Sequence, residues 1–454
     1  MMNTILIENA MVLETFDNKG TRIEGADLYI EGNRISSIGK NLKKNADTVI
    51  DASGMVVLPG LVNTHHHFYQ TLTRAIPEVQ NAKLFDWLVF LYEIWRNLTP
   101  EAVYWSSLGA IGELLLTGCT TTTDHLYLFP NKQSPNLIDE EIRAAREIGI
   151  RFHPTRGSMS LGRSKGGLPP DDVVQDEEMI LKDSERLIDA FHDPEPFSMC
   201  RIALAPCSPF SVTPELMKQT ARFAREKGVL LHTHLAETPD EDDFCQNKLG
   251  MRPLDYMKSL EWIGDDVWFA HCVYLNEEEI EFMAETKTGV AHCPSSNMRL
   301  GSGAAPIPRM TEAGVPVGLA VDGSASNDTS DMLAEIRQCM LLHRVTKGVQ
   351  AMTARQALEL ATRGGAAVFR RDDIGSLEPG RAADIAIFDM QRLDYAGALH
   401  DPVAALVLCG SSHRAHTVIV NGDPVVREGR LVLADEEKIT REMNKHAARM
   451  TERV

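Results

Sequence analysis

Eight short runs that read as strands recur through the middle of this chain, and they limit how it can fold more than anything else in it. They fall at 61–67, 120–126, 150–155, 201–206, 229–235, 267–272, 289–293 and 316–322. Helical stretches lie between most of them, at 99–118, 138–148, 213–228, 276–287 and 306–314, and two more follow at 329–345 and 353–369. Short apolar runs bounded by turn residues read as buried strands. Strands joined through helices pair in parallel, because a parallel connection needs a crossover. Eight such units suggest an α/β fold, a (β/α)8 TIM-like barrel. The first helix has a clear start signal, a capping Thr99 followed by Pro100 at the first helical position.

Both ends of the chain read differently. Residues 3–58 hold runs of about five residues punctuated by turns, the pattern of hairpins. Residues 383–389 and 417–426 continue it, with Asn421-Gly422 as a strong two-residue turn. The expected division is a barrel over 59–369 and a β-rich unit from 1–58 and 370–454. One connection is long. Residues 158–172, rich in Gly, Ser and Pro, follow the third strand, where a barrel often carries a lid.

The formal charge of −18 argues against nucleic acid, which a basic surface would have to bind. The eight cysteines show no regular spacing and no Cys-x-x-Cys pair, so neither a disulfide framework nor a zinc ribbon is indicated. No 18-residue apolar run and no charged-then-apolar leader occurs. The expectation is a cytoplasmic protein with reduced thiols and no membrane partner.

The chemistry sits at the strand ends. The first run turns at Pro59-Gly60 and ends in His65-His66-His67. In a strand side chains alternate, so His65 and His67 share a face and His66 points away. The fifth run ends in His234 with Glu237 just beyond, the sixth in His271 and the eighth in Asp322. Barrel strands deliver active-site groups at their C-terminal ends. Several neutral imidazoles with a carboxylate suit a borderline divalent cation such as Zn2+. The other zinc-deaminase architecture needs Pro-Cys-x-x-Cys, which Pro206-Cys207-Ser208-Pro209 does not supply.

With these motifs the chain resembles the amidohydrolase superfamily, in its cytosine/guanine deaminase and triazine hydrolase branch. The similar elements are Pro59 to His67, His234-Leu-Ala-Glu237, Ala270-His271-Cys272, Ala291 to Asn297, Val321 to Asn327 and Gly375 to Asp384. The resemblance implies that the two β-rich ends join into one small sandwich beside the barrel. It implies that His65, His67, His234 and Asp322 bind one divalent metal, with His271 close by. Glu237, His271 and Asp322 would then do the catalysis. No lysine ends the fourth strand, so a two-metal form is not expected. A homodimer is the family expectation.

The substrate implied is a small nucleobase-like ring. Gln70 stands three residues after His67, where related deaminases carry a glutamine, and an amide side chain both donates and accepts. Asn297 is a further candidate. The third strand and the loop after it are most similar to those of bacterial 8-oxoguanine deaminases, which places His153, Arg156 and Cys207 around a purine. The expected reaction is 8-oxoguanine to urate and ammonia, with isocytosine as a side substrate. The alternatives are an s-triazine aminohydrolase or chlorohydrolase of the hydroxyatrazine type, and a guanine or S-adenosylhomocysteine deaminase. A non-catalytic binding protein on the same fold is disfavoured, because every ligand is kept. Trp87, Trp95 and Tyr127 are aromatic residues without an assigned role.

Overall fold

The computed structural model describes residues 3–409 and 414–452. Eight parallel strands form its central sheet, in the order Leu61–Asn63, Cys119–Leu126, Arg151–Ser158, Ala203–Pro206, Leu230–Leu235, Val267–His271, Gly289–His292 and Val317–Leu319. Sequence order and spatial order are the same, as in a (β/α)8 barrel. The first and eighth strands meet through Thr64 N to Leu319 O at 3.1 Å and Val321 N to Asn63 Oδ1 at 3.0 Å. The seam is narrow. A Cβ on Gly318 would fall 2.5 Å from Thr64 Cγ2, which is why no side chain stands there.

The first run is not one strand. It pairs over Leu61–Asn63, breaks, and pairs again at His66–His67 with Asp322–Gly323. The break brings Asp322 beside His66 in register. The helix starting at Pro100 is capped by Thr99 as its sequence suggests, with Ala102 N on the Thr99 side chain. Among the described residues, three helices of twelve or more residues were not anticipated, Leu84–Trp95, Glu177–Phe191 and Glu436–Thr451, nor were the short helices Pro239–Phe244, Pro253–Ser259, Pro294–Arg299 and Pro402–Leu408.

The terminal segments share one mixed sheet of nine strands. Ile385–Asp389 runs antiparallel to Met55–Pro59 and joins the two ends of the chain. Asn421 and Gly422 both have positive φ, 51° and 89°, which a two-residue turn of this kind requires. Apolar residues from strands of both segments, such as Ile7, Leu28, Ile385 and Ile419, bury a core separate from the barrel's. The last helix leaves this sheet and packs on the barrel helix Pro100–Leu116, with Asn97 Nδ2 donating to Met450 O at 3.5 Å. Among the described residues no helix is long and apolar enough to cross a membrane.

The two units are bolted together by Arg151 and Asp384. The guanidinium donates twice to the carboxylate, at 2.9 and 3.0 Å, and both side chains are buried. Such a bidentate pair is strong and directional.

Candidate metal centre and active site

His65, His67, His234 and Asp322 converge at one end of the barrel. His67 Nε2 lies 3.2 Å from His234 Nε2 and 3.4 Å from Asp322 Oδ1. His65 Nε2 lies 3.3 Å from the same oxygen. The protons of this cluster can be placed. His67 Nδ1 is 2.7 Å from the carbonyl of His125, and His234 Nδ1 is 2.7 Å from that of Cys207. A carbonyl only accepts, so both Nδ1 atoms donate and both Nε2 atoms carry lone pairs. Burial holds these imidazoles below their ordinary pKa and so neutral, His234 at about 3. Burial alone would raise the Asp322 carboxyl, but the histidines packed around it, His65 first, hold it well below the usual carboxylate range.

Acceptors therefore face acceptors. His65 Nε2 has no hydrogen-bond partner among the described residues. Lone pairs on buried nitrogens and a carboxylate oxygen repel unless a cation stands among them. Three imidazoles and one carboxylate form the donor set of a divalent zinc-type site. The fit rests on these facing lone pairs.

The backbone here is bent out of ordinary geometry. His271, Asp322 and Ala236 have positive φ, at 73°, 60° and 52°. Side-chain residues avoid that region, and where the surroundings hold them in it they are often at working sites. Glu241 secures the turn by accepting from the backbone N–H of Ala236 at 2.8 Å and of Glu237 at 3.0 Å.

Glu237 and His271 stand beside the cluster. Glu237 Oε2 is 3.6 Å from His271 Nε2. Burial pushes the Glu237 carboxyl up to about 7, against the pull of His271. Burial alone would lower His271, but Glu237 and Asp322 outweigh it and hold the imidazole above its ordinary value. His271 Nδ1 donates to Asn297 Oδ1 at 3.0 Å.

The cluster opens on a cavity at this end of the barrel. His67, His234, Glu237, His271 and Asp322 line one part of it, with Gln70 and Cys207. Leu84, Trp87, Leu88 and Tyr92 from helix Leu84–Trp95 line another, with Tyr127 and Phe210. Aromatic and aliphatic walls of this kind suit a flat ring. Gln70 Oε1 has no hydrogen-bond partner among the described residues. Gly323 makes room for it, since a Cβ there would fall 1.9 Å from that oxygen.

Three expected substrate residues lie elsewhere. His153 stacks on Phe369 at 4.6 Å and accepts from Arg371 Nη1 at 3.1 Å. The guanidinium of Arg156 donates to Asp183 and Gln175, both at 2.8 Å. Asn297 is bound to His271 and does not line the cavity. Loop 158–172 contributes no lining residue, whereas the helix at 84–95 contributes four. His66 points away from the cluster as expected, to Ser330 Oγ at 3.0 Å. One residue was missed. His125 ends the second strand, donates to Ala205 O at 2.8 Å and stacks on His234. Its signal was the same as the others', a histidine at a strand end.

Comparison with known proteins follows the same lines. Residues 56–425 match the model of the Amidohydrolase family. The chain is 50% identical to 8-oxoguanine deaminase of Pseudomonas aeruginosa, over 87% of this chain and 88% of the relative. It is 36% identical to hydroxydechloroatrazine ethylaminohydrolase of Pseudomonas sp. strain ADP, over 97% and 94%. Atrazine chlorohydrolase TrzN from Arthrobacter aurescens TC1, crystallised with zinc, superposes with a TM-score of 0.94 at 38% identity, covering 98% of this chain and 100% of that one.

Proposed function

The chain is a hydrolytic enzyme of the amidohydrolase family, and from that premise we propose that it deaminates an oxopurine, converting 8-oxoguanine and water to urate and ammonia. The observation that carries the substrate is the half identity to the Pseudomonas aeruginosa deaminase, spread over most of both chains. The convergent lone pairs beneath a flat-walled cavity carry the chemistry.

We assign His65, His67, His234 and Asp322 as ligands of one divalent ion, Zn2+ by its donor set. When bound, such an ion lowers the pKa of a water toward neutrality. Asp322, whose second oxygen accepts from Ser326 Oγ at 3.4 Å, would take a proton from the attacking water. Glu237, half protonated near neutral pH, gives a proton to a ring nitrogen as the water attacks the amino-bearing carbon. The carboxylate this leaves takes up the proton of the newly added hydroxyl and passes it to the departing amine, and the proton held by Asp322 then returns to Glu237. The carbon–nitrogen bond breaks, ammonia leaves and a carbonyl remains. His271, fixed by Asn297, donates toward the incoming oxygen. Gln70 and Cys207 border the ring, with Gln70 Oε1 free to accept from one of its N–H groups.

The same reading divides the chain into a barrel at 59–369 and a terminal unit from 1–58 and 370–454, supported by a core made of terminal-segment residues alone, while others such as Val56, Phe388 and Val418 pack into the barrel's core. It places the enzyme in the cytoplasm, supported by eight unpaired cysteines. It makes the enzyme a homodimer, supported by Leu341 and Val345, which lie one helical turn apart and stay exposed.

A triazine substrate is the second reading, favoured by the structural match to the zinc-bound chlorohydrolase. The test is ammonia release by zinc-loaded protein from 8-oxoguanine, guanine, isocytosine and S-adenosylhomocysteine, beside product formation from hydroxyatrazine. Fast turnover of 8-oxoguanine alone supports the proposal. Turnover of the triazine without the purines overturns the substrate and keeps the chemistry.

A further inference from the structure

His65 is held by a closed circuit of hydrogen bonds. Its Nδ1 lies 2.8 Å from His232 Nε2. His232 Nδ1 lies 2.9 Å from the carbonyl of Trp268, so that nitrogen carries a proton. Among the described residues no carboxylate pairs with His232, and an uncharged imidazole has only the one N–H. Its Nε2 is then the acceptor, and the proton between the rings belongs to His65 Nδ1. The lone pair of His65 is thereby left on Nε2, facing Asp322. Trp268 closes the circuit, because its indole N–H donates to Thr64 O at 3.1 Å, one residue before His65. Its ring also lies flat against His232, with centroids 4.4 Å apart and planes 16° apart.

We propose that His232 is a positioning residue that fixes the tautomer and orientation of His65, so that this ligand is ready before metal arrives. The other two histidines receive the same service from backbone carbonyls, those of His125 and Cys207. His65 alone relies on a side chain, so its preparation alone can be removed by substitution. The partner is also unusual in kind. A metal-bound histidine commonly donates to a carboxylate, a backbone carbonyl or water. A neutral imidazole orients the ring without adding negative charge to the site. The proposal rests on reading His65 as a ligand and is independent of which ring is the substrate.

The experiment measures zinc affinity by chelator competition in the full-length protein and in His232→Leu, His232→Gln and His65→Ala. Ring 15N shifts of His65 in the metal-free wild type accompany it. Gln offers an oxygen to His65 and N–H to Trp268 O, whereas Leu offers neither. His232→Leu is expected to weaken zinc binding by about 10–100-fold, the usual cost of losing such a partner, with His232→Gln close to wild type. The wild-type shifts are expected to show His65 protonated on Nδ1. Unchanged affinity in folded His232→Leu, or equal loss in both variants, overturns the proposal. If the Leu variant does not fold, a proton found on Nε2 of wild-type His65 overturns it alone. Wild-type zinc binding by His65→Ala would instead sink the reading of His65 as a ligand.

Discussion

Glu237 and His271 face each other across 3.6 Å at the edge of the cavity, a carboxyl raised to about 7 beside an imidazole raised by it. Each group favours the charged form of the other, and burial, with Asp322 and Glu241 nearby, keeps the carboxyl available as an acid near neutral pH. Glu237→Gln keeps the shape and removes the proton relay. Turnover is expected to fall by about 10²–10⁴-fold with zinc content unchanged. Steady-state ammonia release and metal analysis check this, and a variant that turns over normally would remove Glu237 from the mechanism.

Gln70 borders the cavity, and its Oε1 has no hydrogen-bond partner among the described residues. Gln70→Ala is expected to raise KM with little effect on metal content, because it removes binding and leaves the ligands intact. An unchanged KM would take the ring out of reach of this side chain.

Metal removal tests the facing lone pairs. Dialysis against a chelator is expected to abolish activity and to lower the thermal midpoint, and zinc is expected to restore both. A ligand that binds only the folded state adds about 4 kcal/mol at 1,000 times its Kd, so the midpoint should climb with zinc concentration. A midpoint indifferent to zinc would contradict the site.

Glu335 gives a pH dependence separate from catalysis. It is buried, accepts from Ser295 N at 2.9 Å and from Asn327 Nδ2 at 3.0 Å, and burial raises its carboxyl to about 8. The folded protein therefore holds this proton more tightly than the unfolded chain. Stability from it is full below the unfolded value near 4.5 and is lost as pH rises toward 8. Glu335→Gln, neutral at every pH, is expected to match wild type near pH 5 and to exceed it near pH 8 by at least about 1 kcal/mol. Denaturant melts at the two pH values check it, and parallel curves would refute it.

His153 is bound by Phe369 and Arg371, away from the cavity. His153→Ala is expected to leave KM unchanged and to cost about 1–3 kcal/mol of stability. A large rise in KM with normal stability would return this residue to the substrate.

The strand-end residues were legible because a buried strand has a fixed period and delivers its last side chains to one rim. His65, His67, His234, Glu237, His271 and Asp322 all follow from that rule. His153 did not, because the third strand continues to Ser158 and so places His153 three residues into it, beside Thr123. Arg156 depends on Asp183, which lies on a helix that was not anticipated. The helix at 84–95 did leave a signal, since Leu84, Trp87, Leu88, Leu91 and Trp95 follow a helical period. Asn297 follows the seventh strand as read, but the short helix Pro294–Arg299 that carries it turns its amide to His271 rather than to the cavity.

The pairing of Met55–Pro59 with Ile385–Asp389 sets the order of events on the ribosome. The first strands emerge with no partner on one edge, and that partner is more than three hundred residues away in the message. Until it arrives, an apolar strand edge lies open while the barrel is being made. Arg151 waits likewise for Asp384. A nascent chain of this design needs shelter at its N-terminus for most of its translation. Shortening its C-terminus by a quarter would therefore damage the first strands made as well as the last.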